Sequence, residues 1–145
     1  MPKIEFPYVS QAIKPNEVYP QGTTNYRPIL PATITAANGV SRRLDVVVDS
    51  GADSCVFPLE LALALELDIL KLPMCLTRGA GSLANPTYYD TVTIDIGAGI
   101  VFQAYAGFSN SMDFFALGLL GQQDFFARHR VEFRLKDRVF TVETD

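Results

Sequence analysis

The sequence predicts a small, mostly β domain with one or two short helices. Segments rich in β-branched residues follow one another along the chain, and only one convincing helix, residues 59–67, interrupts them. Asn38-Gly39, between two such segments, is a strong hairpin signal. Residues 91–96 alternate strictly between polar and apolar side chains, which indicates a half-exposed strand. This succession of strands is typical of a small β-barrel.

Composition limits the classes of function. With 145 residues, 48% of them hydrophobic, the chain is expected to form one globular domain. Its net charge of 12 − 16 = −4 argues against a nucleic-acid partner. No signal peptide is visible, and the longest apolar run is far below the roughly 20 residues that span a bilayer. We therefore expect no membrane partner and a cytoplasmic location.

The two cysteines, Cys55 and Cys75, form no CxxC pair. With His129 as the only histidine, they do not make a zinc site of ordinary spacing. We expect both to be reduced, buried thiols, with Cys55 packed below the loop that follows residue 48. The sequence predicts neither a metal nor a cofactor.

Residues 1–27 differ in amino-acid composition from the rest of the chain. Together with Pro28 they carry five of the nine prolines, so a helix or a central strand is not expected there. An extended arm, docked on the domain or on a partner subunit, and a disordered leader are both consistent with this composition. The domain itself is predicted over residues 28–145.

The remaining elements are predicted in chain order. Strands are expected at 29–35 and 42–49, and Pro58 opens the helix. Two short strands surround Gly79-Ala80-Gly81-Ser82 within 75–89. The later segments are strands at 91–96 and 100–108, an apolar run at 116–121, a helical turn at 124–128, and a closing hairpin of 131–135 and 138–142. Arg128, His129 and Arg130 are expected to form a solvated rim after that turn.

The stretch Val46-Val47-Val48-Asp49-Ser50-Gly51 carries the candidate chemistry. Its three valines indicate a buried strand that runs directly into a carboxylate. Burial of Asp49 is costly unless hydrogen bonds or a function compensate. Two interpretations stand on these residues: an Asx-turn in which Asp49 caps its own loop, and a catalytic acid on a rigid strand end.

Other motifs do not account for this pattern. Residues 79–84 match GxGxxA, but Asn85-Pro86 follow where a nucleotide-binding helix should begin. Asp49 and Asp53 lack the further oxygen ligands of a calcium loop. An aspartyl nucleophile needs helper groups, such as a second Asp two residues on, that Ser50-Gly51 does not supply.

Three elements in register resemble the retropepsin-like aspartic proteases. Asp49-Ser50-Gly51-Ala52-Asp53 after the valine strand is similar to that family's active-site signature. Leu119-Leu120-Gly121 is similar to its second hydrophobic-hydrophobic-glycine element, and Gly79 to Ser82 lie where the family carries its flap. The resemblance covers residues 28–142, and Gln122-Gln123-Asp124 is closer to the bacterial than to the viral branch.

The resemblance implies a closed β-barrel of the acid-protease type with a flap hairpin. Since Asp-Ser-Gly occurs once, it also implies a homodimer with one catalytic Asp49 from each subunit. Ser50 would hydrogen-bond across the dimer, Gly51 would keep the cleft floor open, and Ala52 and Asp53 would border the substrate channel. Leu119, Leu120 and Gly121 would support the loop.

The implied activity is that of an aspartic endopeptidase acting on a peptide or protein. A catalytically silent, dimeric peptide-binding module, or a latent zymogen, with the same fold is the alternative. The proline-rich arm at residues 1–27 keeps that alternative open, because it could lie in the cleft or block the flap.

Overall fold

The computed structural model of the protein describes residues 2–78, 84–112 and 116–144. The predicted flap residues Gly79, Ala80, Gly81 and Ser82 lie outside the described residues. Among the residues that are described, no helix is long and apolar enough to cross a membrane.

The fold is mostly β and is built on a seven-stranded sheet. Its strands are β4 (Ile29–Thr35), β5 (Ser41–Val48), β6 (Val56–Pro58), β7 (Met74–Thr77), β8 (Asn85–Asp95), β9 (Val101–Ser109) and β10 (Gly118–Leu120). Their order is β4-β5-β10-β6-β9-β8-β7. Because β4 also pairs with β8, the succession of hydrogen-bonded strands returns to its first member.

Two smaller sheets are separate from it, and the first of them holds the first and the last strand of the described residues. In the first, β12 (Val139–Thr144) lies between β1 (Lys3–Pro7) and β11 (His129–Arg134). The second is a separate hairpin of β2 (Val9–Ile13) and β3 (Thr23–Arg27). The described part of the proline-rich segment is thus extended, which is one of the two arrangements that its composition allowed, and its first strand pairs with β12.

The helical elements are short. Helix α1 spans Leu59–Ala64, and 3-10 turns occur at Ile69–Lys71, Asn110–Met112 and Leu135–Asp137. A π-helical turn spans Gln122–Phe126. Helix α1 begins after Pro58, as predicted, but ends three residues before the predicted 67.

The early end of α1 has a local cause. Glu66 adopts a left-handed conformation with φ of 60°. The Glu66 N–H donates to Leu63 O, and the Leu67 N–H donates to Ala62 O. These two bonds form a Schellman motif, which satisfies the last carbonyls of the helix without the glycine that usually marks such an end.

The hydrophobic core is formed in part by β5 and β10, which lead to the Asp49 loop, and by β6 and β9. Val46 and Val48 of β5 and Leu120 of β10 are buried, as are Phe57 of β6 and Phe108 of β9. The Phe57 and Phe108 rings pack with their centroids 5.8 Å apart. The valine strand therefore enters the middle of the core, which makes its carboxyl end a rigid support.

Candidate active site

Asp49 extends from the carboxyl end of β5. β5 is held on one side by β4 and on the other by β10, with Val48 in register with Leu120. The Asp49 N–H donates to Leu120 O at 3.0 Å, which carries the pairing one residue further. Backbone pairing on both sides thus fixes the Asp49 Cα, while its side chain remains half-buried.

The loop after Asp49 is an Asx-turn. The Gly51 N–H donates to Asp49 Oδ1 at 2.9 Å, and the Ala52 N–H donates to Asp49 O at 3.1 Å. Within the part of the chain that the structure describes, Asp49 Oδ2 receives no hydrogen bond. The turn therefore uses one carboxyl oxygen and leaves the other available for chemistry, so the two interpretations of Asp49 do not exclude each other.

The segment after β10 clamps this loop through its backbone. The Gln122 N–H donates to Ala52 O at 2.8 Å, and the Gln123 N–H donates to Asp53 O at 2.9 Å. The Gln122 side chain adds a bond from Nε2 to Ser50 O at 2.9 Å. Every carbonyl from Ser50 to Asp53 except that of Gly51 is thus held by Gln122 or Gln123.

Gly121 makes that close approach possible. A Cβ at this position would lie 2.7 Å from Ala52 O and closer still to Ser54 O. Both contacts are with backbone atoms, which a side chain cannot displace cheaply. Gly121 therefore lies directly against the loop, with Leu119 and Leu120 in the strand beside β5.

Two cavities meet at Asp49. One, of about 440 Å³, is lined by the acidic loop together with Thr77, Arg78 and Tyr89. The other, of about 730 Å³, is lined by Gln11, Arg27 and Leu117 among others. Asp49 therefore lines both cavities, so that a ligand in either one can reach its carboxylate.

The structure brings most of the predicted site residues together. Asp49, Gly51, Ala52 and Asp53 line one cavity, and Leu119 lines both. Ser50 is exposed and contributes its carbonyl to the clamp. Other residues at the site were not predicted: Gln122, Thr77, Arg78, Tyr89 and Met112. The pairing of β7 with β8 brings Thr77, Arg78 and Tyr89 there, and sequence spacing does not reveal that placement.

Cys55 is buried below the loop, as predicted, but the prediction that Cys75 is buried is wrong, because Cys75 lies on the exposed strand β7. Burial raises the pKa of the Cys55 thiol to about 11, and the nearby Asp124 carboxylate adds to that shift against the opposing effect of a backbone hydrogen bond at Gly121. The Cys55 thiol donates to Gln123 O at 3.8 Å, so it bridges the loop and the segment that clamps it. Such a thiol is inert at neutral pH, because the thiolate is the reactive form.

The predicted solvated rim is only partly so. Arg128 and Arg130 are exposed, but His129 is half-buried, with Nδ1 at 2.8 Å from Phe125 O. Its ring stacks on Phe125 with centroids 5.1 Å apart. His129 therefore packs against the core, away from the Asp49 loop. In the described ranges, no three or more His, Cys, Asp or Glu side chains are grouped as a metal ion would require.

Comparison with known proteins shows the fold. No family model and no curated protein matches the chain. The crystal structure of a retropepsin-like aspartic protease from Rickettsia conorii matches with a TM-score of 0.59 and 17% identity. The match covers 98% of this chain and 95% of that chain. The chain thus has the retropepsin-like fold over almost its whole length.

Proposed function

We propose that the protein is an aspartic endopeptidase that acts as a homodimer. The observation that carries this proposal is the state of Asp49. Its carboxylate stands at the end of a buried strand, in a loop clamped from below, with one oxygen free of hydrogen bonds in the described chain. It does so in a fold shared with an aspartic protease.

The dimer follows from the number of acids that the chemistry needs. The chain holds one Asp-Ser-Gly, so a second carboxyl has to come from a second copy related by a two-fold axis. In aspartic proteases, as is established for that class, two carboxyls about 3 Å apart share one proton because both cannot ionise together. The pair titrates as a unit. The ionised Asp49 accepts a proton from water while the protonated one donates to the scissile carbonyl.

The remaining loop residues have supporting roles in this proposal. Ser50 hydrogen-bonds to the partner subunit, Gly51 keeps the floor of the cleft open, and Ala52 and Asp53 border the bound peptide. Gly79 to Ser82 act as a flap that closes over the substrate, since the strands on either side, β7 and β8, form an antiparallel hairpin that leads to them.

The same proposal includes a closed barrel of the acid-protease type. The pairing of β4 with β8, which joins the two ends of the six-strand succession from β4 to β8, supports it. We also propose a reducing location such as the cytoplasm, in which Cys55 and Cys75 remain free thiols.

One observation favours the alternative of a silent peptide-binding module or latent zymogen. The larger cavity at Asp49 is lined by Val9, Ser10 and Gln11 of β2 and by Arg27 of β3. The proline-rich segment thus lies beside the candidate catalytic acid, where it can limit access to it.

The proposal is tested with Asp49→Asn, which keeps an oxygen to accept the Gly51 N–H but removes the acid. Wild type and variant are incubated with a mixed peptide library, from mildly acidic to neutral pH and at several protein concentrations. We expect cleavage by wild type to rise faster than linearly with concentration and to be lost in the variant. Asp45→Asn is the matched control, because Asp45 is an exposed carboxylate on the same strand.

Equal cleavage by wild type and Asp49→Asn would refute the proposal. If wild type is silent, a second chain in which residues 9–27 are replaced by a short Gly-Ser linker, with β1 kept, separates the alternatives. Cleavage by that chain indicates a latent enzyme. Continued silence, with a dimer present, indicates a binding module.

A further inference from the structure

A third cavity, the outer cavity, continues the cavity of about 440 Å³ at Asp49, the inner cavity. It has a volume of about 470 Å³ and is lined by Asp53, Ser54 and Tyr89, all of which also line the inner cavity. Its other walls come from Pro73, Met74 and Tyr105. The two cavities therefore form one groove, which runs from the candidate catalytic acid past Asp53 to the protein surface.

Strand β7 runs along this groove. Thr77 and Arg78, at its end, line the inner cavity, and Met74 and Cys75, at its start, line the outer one. β7 is the last strand in the order of the seven-stranded sheet, so its outer edge has no strand partner among the described residues. An open strand edge beside a groove is a template for an extended peptide.

The outer cavity has an aromatic floor. The Tyr89 and Tyr105 rings stack with centroids 5.4 Å apart and an interplanar angle of 24°. Tyr89 also packs on bare backbone, since a Cβ at Gly107 would lie 3.2 Å from its ring. Tyr105 is nevertheless 48% exposed, and Met74 beside it is 53% exposed.

The rigid Tyr105 ring and the flexible Met74 thioether are exposed to solvent beside Pro73. They favour a large apolar or aromatic side chain, which would cover them and gain ring contacts. Asp53, the one carboxylate on the wall, is shared with the inner cavity and stands at the inner end. The outer end of the groove is therefore apolar, whereas the inner end holds the carboxylates of Asp49 and Asp53.

We propose that the Tyr89–Tyr105 groove is a distal substrate subsite that selects an aromatic or large aliphatic side chain several residues from the scissile bond. The inference rests on the proposed function, because the scissile bond must lie at Asp49 for the Tyr89–Tyr105 end of the groove to be distal from it. A two-fold axis at the paired Asp49 residues places one such subsite at each end of the cleft. The enzyme thus selects substrate side chains at two positions, one on each side of the bond that it cleaves.

The test uses pairs of peptides that carry either Phe or Ala at the distal position, built on a sequence that wild type cleaves in a mixed library. We expect wild type to prefer the Phe peptide about tenfold in kcat/KM. In Tyr105→Ala the ratio falls toward one, and in Tyr105→Phe, which keeps the ring, it is restored. Val101→Ala is the matched control, because Val101 lies on the same strand and is 54% exposed outside the groove.

The ratio of two peptides cancels any general loss of activity from a folding defect. An unchanged ratio in Tyr105→Ala, or an equal loss in Val101→Ala, overturns the inference while leaving the proposed function in place. If neither wild type nor the chain in which residues 9–27 are replaced cleaves any peptide, the proposed function fails, and the groove is judged by retention of the library on immobilised protein. Enrichment of aromatic peptides that is lost in Tyr105→Ala then supports the groove, and no retention, or retention unaffected by the variant, overturns it.

Discussion

Asp49 and Asp124 occupy similar positions in the fold, but their carboxylates differ in the number of bonds that they accept. Each follows a buried strand and lies in a tight turn, and the two turns are joined through Gln122 and Gln123. Asp124 uses both carboxyl oxygens: Oδ2 accepts the Tyr105 N–H at 2.9 Å, and Oδ1 is 3.1 Å from Arg128 Nη2. Asp49 accepts one bond, from the Gly51 N–H, and has no ion pair within the described residues.

The difference lies in how much of each carboxylate is used by hydrogen bonds within the chain. Asp124 ties its turn to β9 and to Arg128, so its hydrogen-bonding capacity is used within the chain. Asp49 is held through its backbone and keeps part of its side chain free between two cavities. This contrast is the observation on which the proposed catalytic role of Asp49 rests.

The largest effect is expected at the glycine between the two turns. Gly121→Ala places a methyl group against Ala52 O and Ser54 O, so we expect a loss of about 3 kcal/mol in the free energy of unfolding. Denaturant unfolding measures it. Gly39→Ala is the control: it has a positive φ but no atom within 4 Å, and is expected to cost about 1 kcal/mol. A free energy of unfolding for Gly121→Ala within about 1 kcal/mol of the wild-type value would contradict the close contact between Gly121 and the loop.

Cys55 reports whether the two turns stay together. Its thiol is 1% exposed, and with its pKa raised to about 11 the thiolate fraction at about pH 8 is on the order of 100-fold below that of an ordinary thiol. We expect maleimide to label the exposed Cys75 at least that much faster in the folded protein. A Cys75→Ser chain isolates the slow reaction. Comparable labelling rates would mean that the clamp opens readily.

A smaller effect is expected at Asp124. Asp124→Ala leaves the Tyr105 N–H without its acceptor and puts alanine at a φ of 70°, for a loss of about 2 kcal/mol in unfolding free energy. The ion pair adds little, because the Arg128 side chain is 54% exposed. Asp124→Asn keeps an acceptor oxygen and tolerates that φ, so it should recover most of the loss.

The smallest effect on stability is expected at Asp49 itself. Asp49→Asn keeps the oxygen that accepts the Gly51 N–H, so its free energy of unfolding should stay within about 0.5 kcal/mol of the wild-type value. Thermal or denaturant unfolding checks this. If Asp49→Asn costs as much as Asp124→Ala, the contrast between the two acids disappears and Asp49 becomes a structural residue as well.

Local patterns in the sequence were enough to predict the strands that deliver Asp49. The predicted strand at 29–35 is confirmed at both ends, because Pro28 and the Asn38-Gly39 turn bound the first hairpin unambiguously. The return strand, predicted at 42–49, is observed at Ser41–Val48. Asp49 therefore lies where the change from β-branched to turn-forming residues indicates. The retropepsin-like fold followed from three short elements in register.

What could not be predicted depends on distant contacts or on rare backbone conformations. The pairing of β1 with β12 joins the two ends of the chain, and no local pattern encodes it. The turn predicted at 124–128 is a kinked π-helical turn at Gln122–Phe126, because Asp124 has a positive φ without being glycine. The outer groove required the register of β7 on β8, which places Met74 opposite Tyr88 and so sets the path of the edge strand.

The central claim, one Asp49 from each subunit in a shared site, is tested most directly by mixing subunits. Wild-type and Asp49→Asn chains are co-refolded in equal amounts at constant total concentration, and peptide cleavage is compared with that of wild type alone. A shared site predicts about one quarter of the activity, because random pairing leaves about one quarter of the dimers with both acids. Mixing with Asp45→Asn should leave full activity. A remaining activity of about one half would show that each subunit acts alone and would contradict the account.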